Sequence, residues 1–353
     1  MFFVPGQSDY ISKVVRLSLG ITCGFGVSQI GNWQLSILLP IFMSMLLAGP
    51  RINLTMGLGV IIMVLIGSML GMLLTVTVVQ LPLVCLVVIS LIMFHIFYAG
   101  NKGLPPLLVV MLLLGATAIP LVGMQSSAMA WMLSKGLAIG GTLAVLLTMA
   151  FFWLIPEVDV SGAKAPVKTE VPDPLRSALI STLVILPLVV LFYTFSLTGG
   201  ILIFMFSAIL AQTPDLKSGK RGSAALLIAN GFGGVIAIIT YTLLTIVPEY
   251  VFLLLLIFIV SMLFAQKIFS FDPYAALYAS AYSAVLLLVG SSMGEYSGSA
   301  TANFLSRIIQ IMIVSMYIIS AFYIVSRLFG HENKSDQGVP DHTETALVTE
   351  TGV

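Results

Sequence analysis

The sequence predicts an all-α polytopic membrane protein, with about 12 transmembrane helices arranged as two parallel six-helix repeats. Three observations predict it. Hydrophobic residues fill 59% of the 353 positions and charged residues only 8%, against roughly 25% charged residues in soluble domains; mean hydropathy is +1.12. Apolar runs of spanning length recur along the whole chain. A lone cation also closes the same phrase in each half. The first reads Ser127-Ala128-Met129-Ala130-Trp131-Met132-Leu133-Ser134-Lys135 and the second Ser299-Ala300-Thr301-Ala302-Asn303-Phe304-Leu305-Ser306-Arg307.

About 20 mostly apolar residues cross a bilayer, and punctuation by Gly, Pro and charge gives the spans in order. Residues 1–13 form a cytoplasmic N-terminus without the basic region and cleavage site of a signal peptide, so the first span directs insertion. The first repeat, 14–155, holds spans at 14–31, 33–49, 54–79, 81–99, 105–124 and 127–155. A cytoplasmic linker, 156–174, carries Pro156, Gly162, Pro166 and Pro172. The second repeat, 175–330, holds spans at 175–195, 198–212, 222–247, 250–268, 273–291 and 299–329. The polar tail, 331–353, has too little apolar surface to bury and is expected to be disordered.

Charge orients these spans. Lys13, Arg16, Arg51, Lys102, Lys164, Lys168, Arg176, Lys217, Lys220, Arg221, Lys267, Arg327 and Lys334 fall on one side, and the opposite turns contain no Lys or Arg. That pattern predicts a multi-pass protein of the bacterial inner (plasma) membrane with both termini cytoplasmic. A net charge of +1 gives no case for a nucleic-acid partner. Cys23 and Cys85 lie in apolar segments as small core residues. No metal-ligand spacing, no phosphate-binding Gly-x-x-x-x-Gly-Lys and no paired catalytic motif occurs, so neither a cofactor nor an enzymatic activity is expected.

The halves align with slowly drifting spacing. Arg16-Leu17-Ser18-Leu19 corresponds to Arg176-Ser177-Ala178-Leu179, Pro50 to Pro214, Gly67 to Gly231, Lys102 to Lys267 and Lys135 to Arg307. Six spans per half is an even number, so the repeats insert the same way up. The pattern resembles the fusaric-acid-resistance and aromatic acid exporter superfamily. The resemblance lies in an Arg opening each repeat, a short span ending near Pro, and a basic-and-glycine stretch leading into a glycine stripe. Here those are Arg16 and Arg176, Pro50-Arg51 with Gly67-x-x-x-Gly71, and Pro214 with Lys220-Arg221-Gly222 and Gly231-x-Gly233-Gly234. Many members of that superfamily carry soluble domains after each membrane half. This chain has only a linker and a tail, and is similar to a compact, membrane-only branch of unknown function. The resemblance implies efflux of aromatic or other weak organic acids alongside a periplasmic membrane-fusion (adaptor) protein.

Candidate site residues follow from chemistry that lipid tolerates poorly. Lys135 is expected about nine residues from the outer end of its helix, roughly 13 Å deep, with Arg307 at a similar depth. Two readings are open for the pair. Either they face a central cavity and attract an anionic substrate, or carbonyls and acids neutralise them and they fix packing. Asn303 stands in the same phrase as Arg307. Glu295 either couples a proton or is an exposed loop acid. Asp272, just before Pro273, is chiefly an N-cap. His95 either relays a proton or bonds a backbone carbonyl, and the second is favoured. Tyr274, Tyr278 and Tyr282 recur every four residues, on one helical face, and either stack on an aromatic substrate or fill the core.

The short second and eighth spans, the second interrupted by Pro40, point to a transport site built from broken helices. The glycine stripes are read as close helix packing. Together these readings predict a proton-coupled secondary efflux transporter of hydrophobic weak organic acids or xenobiotics. Its partners would be the organic anion, the lipid bilayer, a periplasmic adaptor and further copies of the chain. The alternatives are a major-facilitator-like transporter of another solute, or a non-catalytic membrane scaffold.

Overall fold

Long apolar runs with no strand-like alternation fold as helices because, in hydrocarbon, only a helix satisfies its own backbone. The computed structural model describes residues 7–31, 33, 36–156, 173–195, 216–270 and 274–291, with single helical residues at 309, 313, 316, 317, 320, 321 and 324. Among the described residues there are ten helices: α1 (Gln7–Gly31), α2 (Leu38–Ala48), α3 (Leu54–Thr77), α4 (Pro82–Asn101), α5 (Pro106–Gly123), α6 (Ser127–Leu154), α7 (Pro174–Thr194), α8 (Leu216–Ile246), α9 (Tyr250–Ile268) and α10 (Ala275–Ser291).

Six of them are long and apolar enough to cross a membrane: α1 from Asp9, then α3, α4, α6, α7 and α9. Pro at or next to the first position starts α4, α5 and α7, where its missing N–H costs nothing. The expected span 198–212 and most of 299–329 lie outside the described residues, as do the tail and all but the ends of the linker.

Most expected boundaries match to within two residues, but α1 starts seven residues and α8 six residues earlier than expected. The second span differs: its helix is only 11 residues long, Leu38–Ala48, about 16 Å at 1.5 Å per residue, too short to cross alone. Pro40 does not interrupt it. It sits in the first turn, where no intrahelical N–H bond is lost.

Inter-helix hydrogen bonds fix which ends meet. Tyr10 Oη donates to Gln266 O (2.9 Å), Arg16 Nη1 to Ile155 O (3.4 Å) and Asn101 Nδ2 to Pro174 O (3.1 Å). These bonds gather Lys13, Lys102, Arg176 and Lys267 at one end of the bundle, called here the basic end. At the opposite end Tyr250 Oη donates to Gly26 O (3.1 Å) and Tyr193 Oη to Thr117 O (2.9 Å).

The strongest helix pairings are α3 with α5 and α8 with α10, followed by α1 with α9, α3 with α6 and α4 with α7. One core joins α1, α2, α3 and α6 to α8, α9 and α10 through Leu17, Phe25, Met43, Leu47, Ile257 and Val285. A second joins α4, α5 and α7 through Ile89, Met93, Leu113, Ile185 and Val189.

Outward faces stay apolar, as at Leu58, Ile62, Met69 and Leu73 on α3, a surface that only lipid or protein can cover. On α6, Trp131 (51% exposed) and Trp153 (82%) bracket the helix. They lie 22 residues apart, about 33 Å at 1.5 Å per residue. That separation matches a hydrocarbon core of about 30 Å with an aromatic anchor at each interface.

The glycine stripes do bring backbones together. A Cβ on Gly71 would strike the Gly115 carbonyl and lie 2.8 Å from Ile119 Cβ. A Cβ on Gly233 would strike the Ala281 carbonyl and lie 3.2 Å from Ala284 Cβ. Gly231, the residue matched to Gly67 in sequence, instead meets nothing within 4 Å. The close approach of α8 to α10 therefore falls two residues later than the sequence match placed it. We expect Gly233→Ala to destabilise the detergent-solubilised protein by about 1–3 kcal/mol, the usual cost of overpacking. Gly231→Ala is expected to be neutral or mildly stabilising. Thermal unfolding of the two variants side by side checks this.

Candidate functional site

Helix α2 begins deep in the bundle. Gly140, near the middle of the Trp131–Trp153 stretch of α6, has its Cβ direction 3.8 Å from Leu38 Cβ, 3.9 Å from Leu39 N and 4.0 Å from Trp33 Nε1. Going down α2, Met43 packs at Gly24 and Leu47 at Gly20, so α2 runs antiparallel to α1. Immediately before α2, Ser36 N donates to Trp33 O (3.0 Å) and Leu39 N to Ser36 O (3.1 Å). Trp33 Nε1 is buried without a hydrogen-bond partner among the described contacts. Non-helical backbone at such depth is tolerated where protein or a cavity surrounds it.

The lower part of α2 forms one wall of a groove of about 310 Å³ at the basic end. Ser44, Met45, Ala48 and Gly49 face Ala279, Ser280, Tyr282 and Ser283 of α10, with Ile268 at the end of α9. Ser44 and Ser283 approach hydroxyl to hydroxyl at 3.5 Å across it. Each also donates to its own helix, Ser44 to Ile41 O (2.7 Å) and Ser283 to Ala279 O (3.1 Å). Oxygen lone pairs on both serines are therefore left to accept from a ligand. Two features singled out in the sequence, the short second span and the tyrosine helix, meet here.

Behind the groove stands an aromatic wall. Tyr282, 1% exposed, hydrogen-bonds the Ser261 hydroxyl of α9 and stacks on Phe264 at 5.2 Å between ring centroids. Phe264 meets Phe232 of α8 edge-on at 6.1 Å, and Phe232 meets Tyr278 at 6.3 Å. The three tyrosines are graded in depth. Tyr274 is 63% exposed in the turn before α10, Tyr278 is half-buried and Tyr282 is enclosed. Only Tyr282 of the three lines the groove.

Lys135 stands eight residues past the start of α6, close to the expected depth, but on an outward face. It is exposed, in one strip with Ala128, Trp131, Met132 and Ile139, and its ammonium lies 5.6 Å from the Trp131 ring centroid. Helical side chains point toward the N-terminus of their helix, and the interface marked by Trp131 is only four residues away, about 6 Å. Such a placement is within snorkelling reach of an interface at Trp131. Its neighbour Ser134 faces inward and donates to Ser68 O of α3 (3.1 Å).

His95 is exposed on α4, with Nδ1 2.8 Å from Leu91 O. A carbonyl only accepts, so Nδ1 carries the proton. This is the backbone-bonded arrangement that the sequence reading favoured. Arg307, Asn303, Glu295 and Asp272 lie outside the described residues.

Arg16 is the residue whose role sequence reasoning missed. It is read there only as a basic-side cation that opens the first repeat, yet it is 1% exposed, with its guanidinium carbon 3.9 Å above the Phe152 ring and Nη1 on Ile155 O. A cation at the last carbonyls of α6 is favourably placed on the helix dipole. Its recurrence at Arg176 is the available signal, but recurrence does not reveal burial.

A family model described as a protein of unknown function (DUF2955) matches residues 13–151. No match is found among curated proteins or among solved structures.

Replacing Arg16 with Met keeps the volume but removes both the ring contact and the donor to Ile155. We expect a loss of about 1–3 kcal/mol, with Lys rescuing only part because it lacks the planar fork. Melting of purified Arg16→Met and Arg16→Lys measures this. Equal stability of all three proteins contradicts it.

Proposed function

We propose that the chain is a secondary active efflux transporter of aromatic or other hydrophobic weak organic acids. One observation carries the reading. A hydroxyl-lined groove of about 310 Å³, backed by stacked aromatic rings, lies between a half-length helix and α10 in an otherwise apolar bundle. Its rings suit an aromatic body, and the free lone pairs of its serines suit a hydrogen-bond donor such as the hydroxyl of the protonated acid. Discontinuous helices at the interface of two halves are the usual place for a transported solute.

The twelve-span, two-repeat arrangement is part of the proposal, and helix pairing supports it. With a span counted at 198–212, α1 on α9 becomes the counterpart of α7 on α4, and α3 on α5 that of α8 on α10. The family match, ending at 151, covers nearly the same stretch as the first six spans. The seam groove would then open and close as the halves rock.

We extend the proposal to a bacterial inner membrane with both termini cytoplasmic, which the gathering of lysines and arginines at one end favours. The resemblance to aromatic acid exporters supports the substrate class and the adaptor partner. Proton coupling is assigned to Glu295, Asp272 or His95. The substrate's charge is assigned to Arg307 and a polar contact to Asn303, since Lys135 reaches the interface.

The test uses a strain lacking redundant pumps, challenged with a panel of hydrophobic weak acids including benzoate. Expression of the chain is expected to raise tolerance. Ser44→Leu and Ser283→Leu, which fill the groove, should cut labelled benzoate efflux about tenfold or more at unchanged membrane abundance. Lys135→Ala should retain efflux. Tolerance that does not respond to the chain for any acid sinks the exporter reading. Efflux lost in Lys135→Ala but kept in both serine variants moves the site away from the groove.

A further inference from the structure

A second groove, of about 340 Å³, lies outside the proposed transport site, between α4 and α7. Val87, Leu91 and Phe94 form one wall and Leu179, Leu183 and Leu186 the other. Its two hydroxyls are already committed, Ser90 to Leu86 O (2.6 Å) and Thr182 to Ala178 O (2.8 Å). The walls thus offer hydrocarbon and almost nothing else, which suits an acyl chain and not a polar solute.

The ends of the groove are unlike. α4 and α7 are antiparallel, and the Asn101–Pro174 hydrogen bond joins the last turn of α4 to the first turn of α7. That bond brings two exposed cations, Lys102 and Arg176, to the same end. Lys102 Nζ lies 4.6 Å from the Tyr98 ring centroid, the aromatic-and-lysine pairing that marks a lipid headgroup level.

Depth agrees. From Arg176 to Leu186 is ten residues, about 15 Å, which is half of a hydrocarbon core of about 30 Å. One lipid of one leaflet therefore covers the groove while its headgroup is level with both cations. A basic cluster between helices at the inner face is a recognised setting for anionic headgroups.

We propose that the α4–α7 groove is a binding site for an anionic phospholipid, its acyl chain along Leu91, Phe94, Leu183 and Leu186 and its phosphate at Lys102 and Arg176. The site does not depend on the exporter reading.

Native mass spectrometry of the full chain in detergent tests it, with phosphatidylglycerol and phosphatidylcholine of identical acyl chains as probes. Wild type should retain phosphatidylglycerol preferentially. Lys102→Gln and Arg176→Gln should each reduce that preference about fivefold, while phosphatidylcholine retention stays constant. Leu183→Trp, a bulky change at a 39% exposed position, should reduce retention of both lipids. Val87→Trp on the opposite wall, 68% exposed, should do the same without relying on one variant's folding. Soluble glycerol phosphate in excess should displace nothing. Equal retention of the two lipids by wild type overturns the proposal. So does charge selectivity that survives both Gln variants, unchanged retention in both Trp variants, or displacement by glycerol phosphate.

Discussion

In hydrocarbon an unmet hydrogen-bonding group has no water to turn to, and that constraint shapes this protein at every level. It removes strands and loops from the apolar zone and leaves helices. It then acts on side chains. Ser18, Thr22, Ser68, Thr75, Thr117 and Ser261 each donate to a carbonyl three or four residues back on their own helix, hiding their polarity within the helix that carries them. Few polar groups remain to link one helix to another. Tyrosines do much of it: Tyr10, Tyr193, Tyr250, Tyr282 and Tyr317 all reach across to a neighbouring helix.

With polar links so sparse, association rests on shape. Without a hydrophobic drive between helices already in lipid, backbone approach at small residues becomes the main adhesive. Gly67 and Gly71 against Gly115, and Gly233 against Ala281, are such contacts, and they belong to the two most extensive pairings among the described residues. Against these close-packed pairs, the α2–α10 interface stands out. Its helix is short, its facing residues are serines, and a groove remains open there. The α4–α7 groove is walled mainly by hydrocarbon, whereas the space at the α2–α10 joint carries serine hydroxyls with lone pairs to offer.

The two buried-cation themes separate on physical grounds. Lys135 is deep by residue count but shallow by reach, because its flexible stem rises toward the Trp131 interface. Arg16 lies about as far along its helix, yet it is wholly enclosed, because α1 packs between other helices and Phe152 covers its guanidinium. Position along a helix gives depth in the membrane. It does not say whether a side chain faces lipid or protein.

Much of the fold was legible because the membrane makes sequence explicit. Apolar run length set most helix bounds, and the Lys and Arg pattern anticipated which helix ends gather, as Tyr10–Gln266 and Asn101–Pro174 then join them. The small-residue stripes foretold close packing, though not that Gly233 and not Gly231 makes it. Hydropathy and charge are one-dimensional quantities, and depth along the bilayer normal is one-dimensional too, so the chain alone determined its helices and their ends. Azimuth is different. Which face of α10 meets α2, that Tyr282 is enclosed while Tyr274 is exposed, and that α2 starts beside Gly140 depend on neighbours far away in sequence. Those were decided only when side chains from distant helices competed for the same space.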